Sequence, residues 1–154
     1  MTRTRPVQTI LTAGMVAGFL DGLDAVVFIA WMSGRSATRV FQFIASGALG
    51  TKSFNGGAAT AMLGVFFHFV IAIGAAAVFY GLSAKLPMVL RRPLLWGAVY
   101  GIGVFLFMHF VVVPLSATPR QPPLSARALA NLLFSHVFFV GIPIAWVTRR
   151  FSRA

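Results

Sequence analysis

The chain has 154 residues, 58% of them hydrophobic and only 10% charged, with a mean hydropathy of +0.88. A soluble domain this small needs far more polar surface, so a water-soluble enzyme or binding module is excluded. The net charge of +11 does not imply nucleic acid, because the thirteen Lys and Arg lie almost entirely between apolar runs, where they set topology and meet lipid headgroups.

Four runs are long enough for a helix to cross a hydrocarbon layer of roughly 30 Å. They cover residues 7–32, 57–84, 93–117 and 126–147, and none alternates with the period of a barrel strand. The expected fold is all-α: a single membrane domain built as an antiparallel four-helix transmembrane bundle, with a short interfacial helix in the first outer loop.

The first run follows MTRTRP, a basic start like that of a signal peptide. Its apolar stretch is too long for one and contains Asp21 and Asp24, so it is expected to be retained. These are the only two acidic residues in the chain. Gly14, Gly18 and Gly22 form a G-x-x-x-G-x-x-x-G stripe that admits a close neighbour, from the bundle or from another copy. Asp21 lies within about 60° of Gly14 and Gly18 around the helix, with Asp24 on its other flank.

The loop after this span is long for a bundle connection. Within it, Arg39, Gln42 and Ser46 share one edge of a helix, while Val40, Phe41, Phe43, Ile44 and Ala48 fill the rest. That division predicts an interfacial helix over about 36–50. On the second span Gly57, Ala61, Gly64, Ala72 and Ala75 share a stripe with His68, and Pro87 follows its end. Pro93 suits the first position of the third span, which carries Gly97, Gly101 and His109. The next loop, PLSATPRQPPLSAR, is proline-rich and expected to be extended. Ser125 is the expected N-cap of the fourth span, which holds His136 and a Pro143 that should kink it. Asn131 and Ser135, four residues apart, read as interhelical hydrogen-bond glue.

Basic residues orient the chain. Arg3, Arg5, Lys85, Arg91, Arg92, Arg149, Arg150 and Arg153 fall on one side; Arg35, Arg39, Lys52, Arg120 and Arg127 fall on the other. The richer side should be cytoplasmic, with both termini on it.

Asp21, Asp24, His68, His109 and His136 all lie within spans, with every span represented. Counted from the outer ends they are roughly 8 to 11 residues deep, or about 12 to 17 Å. They therefore form one layer, and lipid exposure of an ionised Asp at such depth costs roughly 3 kcal/mol, so all five should face inward.

Several uses of this layer stay open. It could be a hydrogen-bonded cluster fixing helix register, a divalent-metal site with Asp21, Asp24, His68, His109 and His136 as ligands, a proton or ion pathway, or a haem or chlorin site. No cofactor is fixed by spacing. The chain has no cysteine, hence no thiolate ligand or nucleophile, and no Glu for an H-E-x-x-H motif. Ser135 and His136 diverge by about 100° on a helix and make no catalytic pair.

The segments IASGALG, FNGGAATAMLGVFFHFVIA, RRPLLWGAVYGIGVFLFMHFVVVPLSA and HVFFVGIPIAW resemble those of small four-span bacterial inner-membrane proteins without an assigned activity. The resemblance implies a multi-pass protein of a bacterial plasma membrane and no catalytic residue. The expected function is a non-enzymatic accessory or structural subunit, with a small metal-ion or proton transporter as the alternative. Its expected partners are the lipid bilayer and further copies or a larger membrane complex, and not nucleic acid.

Overall fold

A computed structural model describes residues 5–152. It contains α1 (Pro6–Ser33), α2 (Ala37–Leu49), α3 (Gly57–Lys85), α4 (Pro93–Leu115) and α5 (Ala126–Ser152), with no strand among the described residues. All but α2 are long and apolar enough to cross a membrane. The protein is thus an all-helical, multi-pass membrane protein. α4 stops at Leu115, short of the expected Ala117, and α5 runs on to Ser152, past the expected Val147.

Local sequence explains the helix ends. Pro6 and Pro93 each open a helix where an amide hydrogen would have no partner. The Ser125 hydroxyl accepts the Ala128 amide at 3.2 Å, as expected of an N-cap. Gly34 closes α1 in the left-handed region at φ 64°, its N–H returning to the Ala30 carbonyl.

Glycine sets which helices touch. A Cβ on Gly14 would fall 2.5 Å from the Ile73 Cα, one on Gly18 2.8 Å from the Phe69 ring, and one on Gly22 3.1 Å from His68 Nε2. The triple-glycine stripe of α1 therefore serves α3 within the same chain. Gly97 and Gly101 do the same for α4 against α5, where Cβ atoms would fall 2.8 Å from the Ile142 and Val137 Cα atoms. In both pairs, rising residue numbers on one helix meet falling numbers on the other. α1 also packs on α5, so the helices run α3, α1, α5, α4 across the molecule.

The two outer helices of that row, α3 and α4, are not packed along their length. They are latched at one place, where the Tyr100 hydroxyl donates to the Ala75 carbonyl at 2.6 Å and its ring meets Phe79 edge-on at 5.0 Å. Around this latch lies the hydrophobic core: Ala13, Ala17, Ala76, Phe79, Val89, Val140, Ile144 and Ala145. These residues come from the terminal halves of α1 and α5, the end of α3, and the turn before α4. One half of the bundle is consequently solid, and the other is hollow.

Two turns of the spans are not α-helical. Met108–Val112 and His136–Gly141 are π-helical, with Val113 N–H bonding the Met108 carbonyl and Ile142 N–H the Val137 carbonyl. Each is followed by a proline, Pro114 or Pro143. A proline ring crowds the carbonyl four residues back and supplies no amide hydrogen; widening the preceding turn removes the clash. The disturbance expected at Pro143 takes this form, and Pro114 creates a second one.

α2 forms where the amphipathic pattern predicts a helix, but its polar edge is turned into the protein. Gln42 is 3% exposed and Ser46 0%, while Ala48 and Leu49 are exposed. Gln42 donates to the Gly57 carbonyl at 3.1 Å, and Ser46 to its own helix at the Phe43 carbonyl. The reason is close approach to α3: a Cβ on Gly64 would overlap the Phe41 carbonyl. Buried backbone polar groups at that crossing favour polar partners over apolar ones.

Candidate functional site: a hollow between the spans

The hollow half of the bundle is a cavity of about 780 Å³ walled by all four spans. Ala17, Gly18 and Asp21 of α1 form its back, beside Leu132, His136 and Val140 of α5. His68, Ile71, Ala72 and Ala75 of α3 face Val104, Phe105, Met108 and His109 of α4 across it. Phe43 and Ile44 of α2, together with the proline-rich segment 118–124, cover one end. The core around Phe79, Tyr100 and Ile144 closes the other end. Its walls are chiefly apolar, and its size is that of an ordinary small-molecule pocket between bundle helices.

Of the five residues expected in one layer, Asp21, His68, His109 and His136 line this cavity and Asp24 does not. Both aspartates are instead tied to α5. Ser135 donates to Asp21 Oδ1 at 2.6 Å, and Asn131 donates Nδ2–H to Asp24 Oδ2 at 2.9 Å. These are two rungs of a ladder between α1 and α5, three residues apart on one helix and four on the other. The polar pair expected to be glue, Asn131 and Ser135, is what the two acids hold.

The histidines are set by backbone carbonyls. His68 Nε2 lies 2.7 Å from the Gly18 carbonyl, and His136 Nδ1 lies 2.8 Å from the Leu132 carbonyl. A carbonyl only accepts, so each of these nitrogens carries the hydrogen. In the neutral ring His68 Nδ1 and His136 Nε2 are therefore left as bare acceptors. His109 sits otherwise: it stacks on Phe105 at 5.7 Å with its plane tilted only 12°, and meets Phe110 edge-on at 4.8 Å. His136 reaches the edge of the same Phe105 ring at 5.8 Å. Phe105 thus touches the histidines of both α4 and α5.

The arrangement of these side chains bears on metal binding. Among the described residues no three His or Asp side chains are grouped to hold one ion. Asp21, His68, His109 and His136 line one cavity, yet with Asp24 they do not converge on a point. Phe105 and the Tyr100 latch are site residues that the sequence pattern did not single out. Tyr100, a lone hydroxyl within the glycine-rich run GAVYGIG, was the one visible hint.

Electrostatically the cavity is simple. Asp21 is the only acidic residue that lines it, and Arg120, exposed on the covering segment, is the only Lys or Arg. No buried side-chain nitrogen or oxygen among the described residues lacks a partner. The unbonded nitrogens of the three histidines and Asp21 Oδ2 are therefore not sealed in the packing, and their residues line the cavity. No family model, curated protein or solved structure matches the chain.

Proposed function

We propose that this protein is a non-enzymatic membrane-embedded binding protein, which holds a small amphiphilic molecule between its spans. The observation that carries this reading is the cavity of about 780 Å³, apolar in its walls and tipped with Asp21, His68, His109 and His136. A purely structural bundle would gain from filling such a space, since a cavity forfeits packing contacts on every side. The ladder from Asp21 and Asp24 to Ser135 and Asn131 keeps the register role expected of buried polar groups, and it leaves the cavity free for a ligand. Conduction of ions or protons is less well supported, because the core around Phe79 and Ile144 stands between the cavity and the terminal side.

The binding reading has a direct test. Purified with native lipid, the wild-type protein should retain a molecule that Val104→Trp, which fills the cavity from α4, and Ile71→Trp, which narrows its rim on α3, both release. Mass spectrometry of organic extracts reads the difference. Identical extracts from all three proteins would end the proposal.

The spans are proposed to form an antiparallel bundle in a bacterial plasma membrane, with both termini cytoplasmic and α2 at the opposite interface. Paired registers and basic-residue bias support this orientation: Arg149 reaches the Arg91 carbonyl at 3.5 Å, gathering the charges of two segments at one end. The chain has no cysteine, so single-cysteine variants label uniquely. A membrane-impermeant maleimide added to intact cells should modify Thr51→Cys and spare Met88→Cys. The reverse pattern would invert the topology.

A further inference from the structure

The chemistry of the cavity points beyond binding as such, to the kind of head group it accepts. His68 spends its Nε2 hydrogen on the Gly18 carbonyl, and His136 spends its Nδ1 hydrogen on the Leu132 carbonyl. In its neutral form each ring then has only a lone pair left to offer. Asp21 receives one hydrogen bond, from Ser135 on Oδ1, and its other oxygen is also an acceptor. Three groups from three helices therefore present acceptors to one apolar space, while the fourth, His109 of α4, lies stacked on Phe105 and in its neutral form carries one donor and one acceptor. An acceptor in a low-dielectric site without a donor partner costs free energy, so the complementary ligand is rich in N–H and O–H groups.

Charge narrows the class. Asp21 is the only acid lining the space, and its recorded partner is a neutral serine. The single basic lining residue, Arg120, is on the exposed cover and not in the wall. A cation fits this arrangement, and an anion meets the carboxylate in hydrocarbon. Spacing narrows it again. The acidic and imidazole groups are not clustered tightly enough for one ion, so a single ammonium cannot satisfy them all. The donors must be spread over neighbouring atoms.

We propose that the cavity binds a long-chain amino alcohol, whose ammonium donates to Asp21 and whose hydroxyls donate to the bare nitrogens of His68 and His136. Its hydrocarbon chain leaves between α3 and α4, past Ile71 and Phe110, where those helices are unlatched. The proposal rests on the binding function above and adds the head-group chemistry to it.

Sphinganine, a C18 amine with two hydroxyls, is a suitable probe. Radiolabelled sphinganine should bind the full-length protein in nanodiscs saturably, one per chain. Its N,N,N-trimethyl derivative and stearate should compete at least about tenfold less well, the loss expected when a charge-assisted hydrogen bond is removed. Octadecanol, with one donor and no charge, should also fall at least about tenfold below sphinganine. Asp21→Asn should weaken sphinganine by a similar factor. Asp24→Asn, which alters a rung off the cavity, should leave affinity unchanged. His136→Phe keeps the ring beside Phe105 and removes the bare nitrogen, so it tests the site even if Asp21→Asn does not fold.

Stearate competing as well as sphinganine would overturn the cationic head group, and octadecanol doing so would overturn the need for charge. Equal losses in Asp21→Asn and Asp24→Asn would mean that the carboxylates act through the fold. Those results leave the binding function standing. Failure of every amphiphile to bind, with Val104→Trp indistinguishable from wild type, would remove the binding function itself.

Discussion

Gly101→Ala is expected to destabilise the folded protein by at least about 1–3 kcal/mol, whereas Gly103→Ala, two residues along the same helix, should be neutral or stabilising by up to about 1 kcal/mol. The added methyl at Gly101 would overlap the His136 carbonyl and fall 2.8 Å from the Val137 Cα. Both are backbone atoms of the π-helical turn in α5, and neither can rotate aside as a side-chain tip would. α4 and α5 would have to separate, and with them the Phe105–His136 contact at the cavity wall. At Gly103 a Cβ meets nothing within 4 Å, so alanine only improves helix propensity. Unfolding in mixed micelles of increasing SDS fraction measures both. Equal stabilities would mean that the glycine contacts of α4 carry no packing energy.

The second large effect concerns the ladder. Replacing Asn131 and Ser135 together by alanine should cost about 1–3 kcal/mol, because two carboxylates inside the bundle lose their donors. The coupling energy of each rung in a double-mutant cycle, Asp21 with Ser135 and Asp24 with Asn131, should fall near 0.6 and not above about 1.7 kcal/mol, the span measured for polar pairs between membrane helices. The two values need not match. Ser135 is buried, so its loss leaves a carboxylate oxygen with no easy replacement. Asn131 is half-buried and nearer the start of α5, where water or lipid headgroups can substitute. Coupling of zero at both rungs would show that these hydrogen bonds do not set the register of α1 against α5, leaving that task to the glycines.

Much of the fold was legible in the sequence, for a physical reason. In hydrocarbon every backbone polar group must be satisfied within its own helix, so a run of about 20 apolar residues already implies the element that forms. Four such runs, the first-position prolines, the Ser125 cap and the loop helix over 37–49 all follow from local chemistry. Small-residue spacing likewise foretold that α1 and α4 would be approached closely. The partners could not be read: Gly14, Gly18 and Gly22 meet α3, a neighbour in the same chain, and nothing in their spacing separates that from a second copy.

The polar layer was expected from helical rise, which counts Asp21, Asp24, His68, His109 and His136 to similar distances from the ends of their spans. Direction around each helix is another matter. His109 and His136 had no small-residue stripe to phase them, and both fall in π-helical turns, which shift the phase of the side chains that follow. Those turns come from Pro114 and Pro143, which were visible, but whether a proline kinks a helix or widens it depends on the neighbour pressed against it. The inward turn of Gln42 and Ser46 on α2 has a similar origin. An amphipathic pattern separates two faces without saying which one meets protein, and the approach of α2 to Gly64 decided that.

The sequence by itself determined four helices long and apolar enough to cross a membrane, with both Asp and all three His inside them, because the cost of exposing backbone polar atoms to lipid favours long helices in apolar runs. Only the tertiary structure decided that α3 and α4 are latched at Tyr100 and stand apart beyond it. That opening turns a layer of polar residues into the lining of a cavity, and the carbonyls of Gly18 and Leu132 turn two of its histidines into acceptors. Helix order and tautomer are properties of contacts between segments distant in the chain, and no local pattern encodes them.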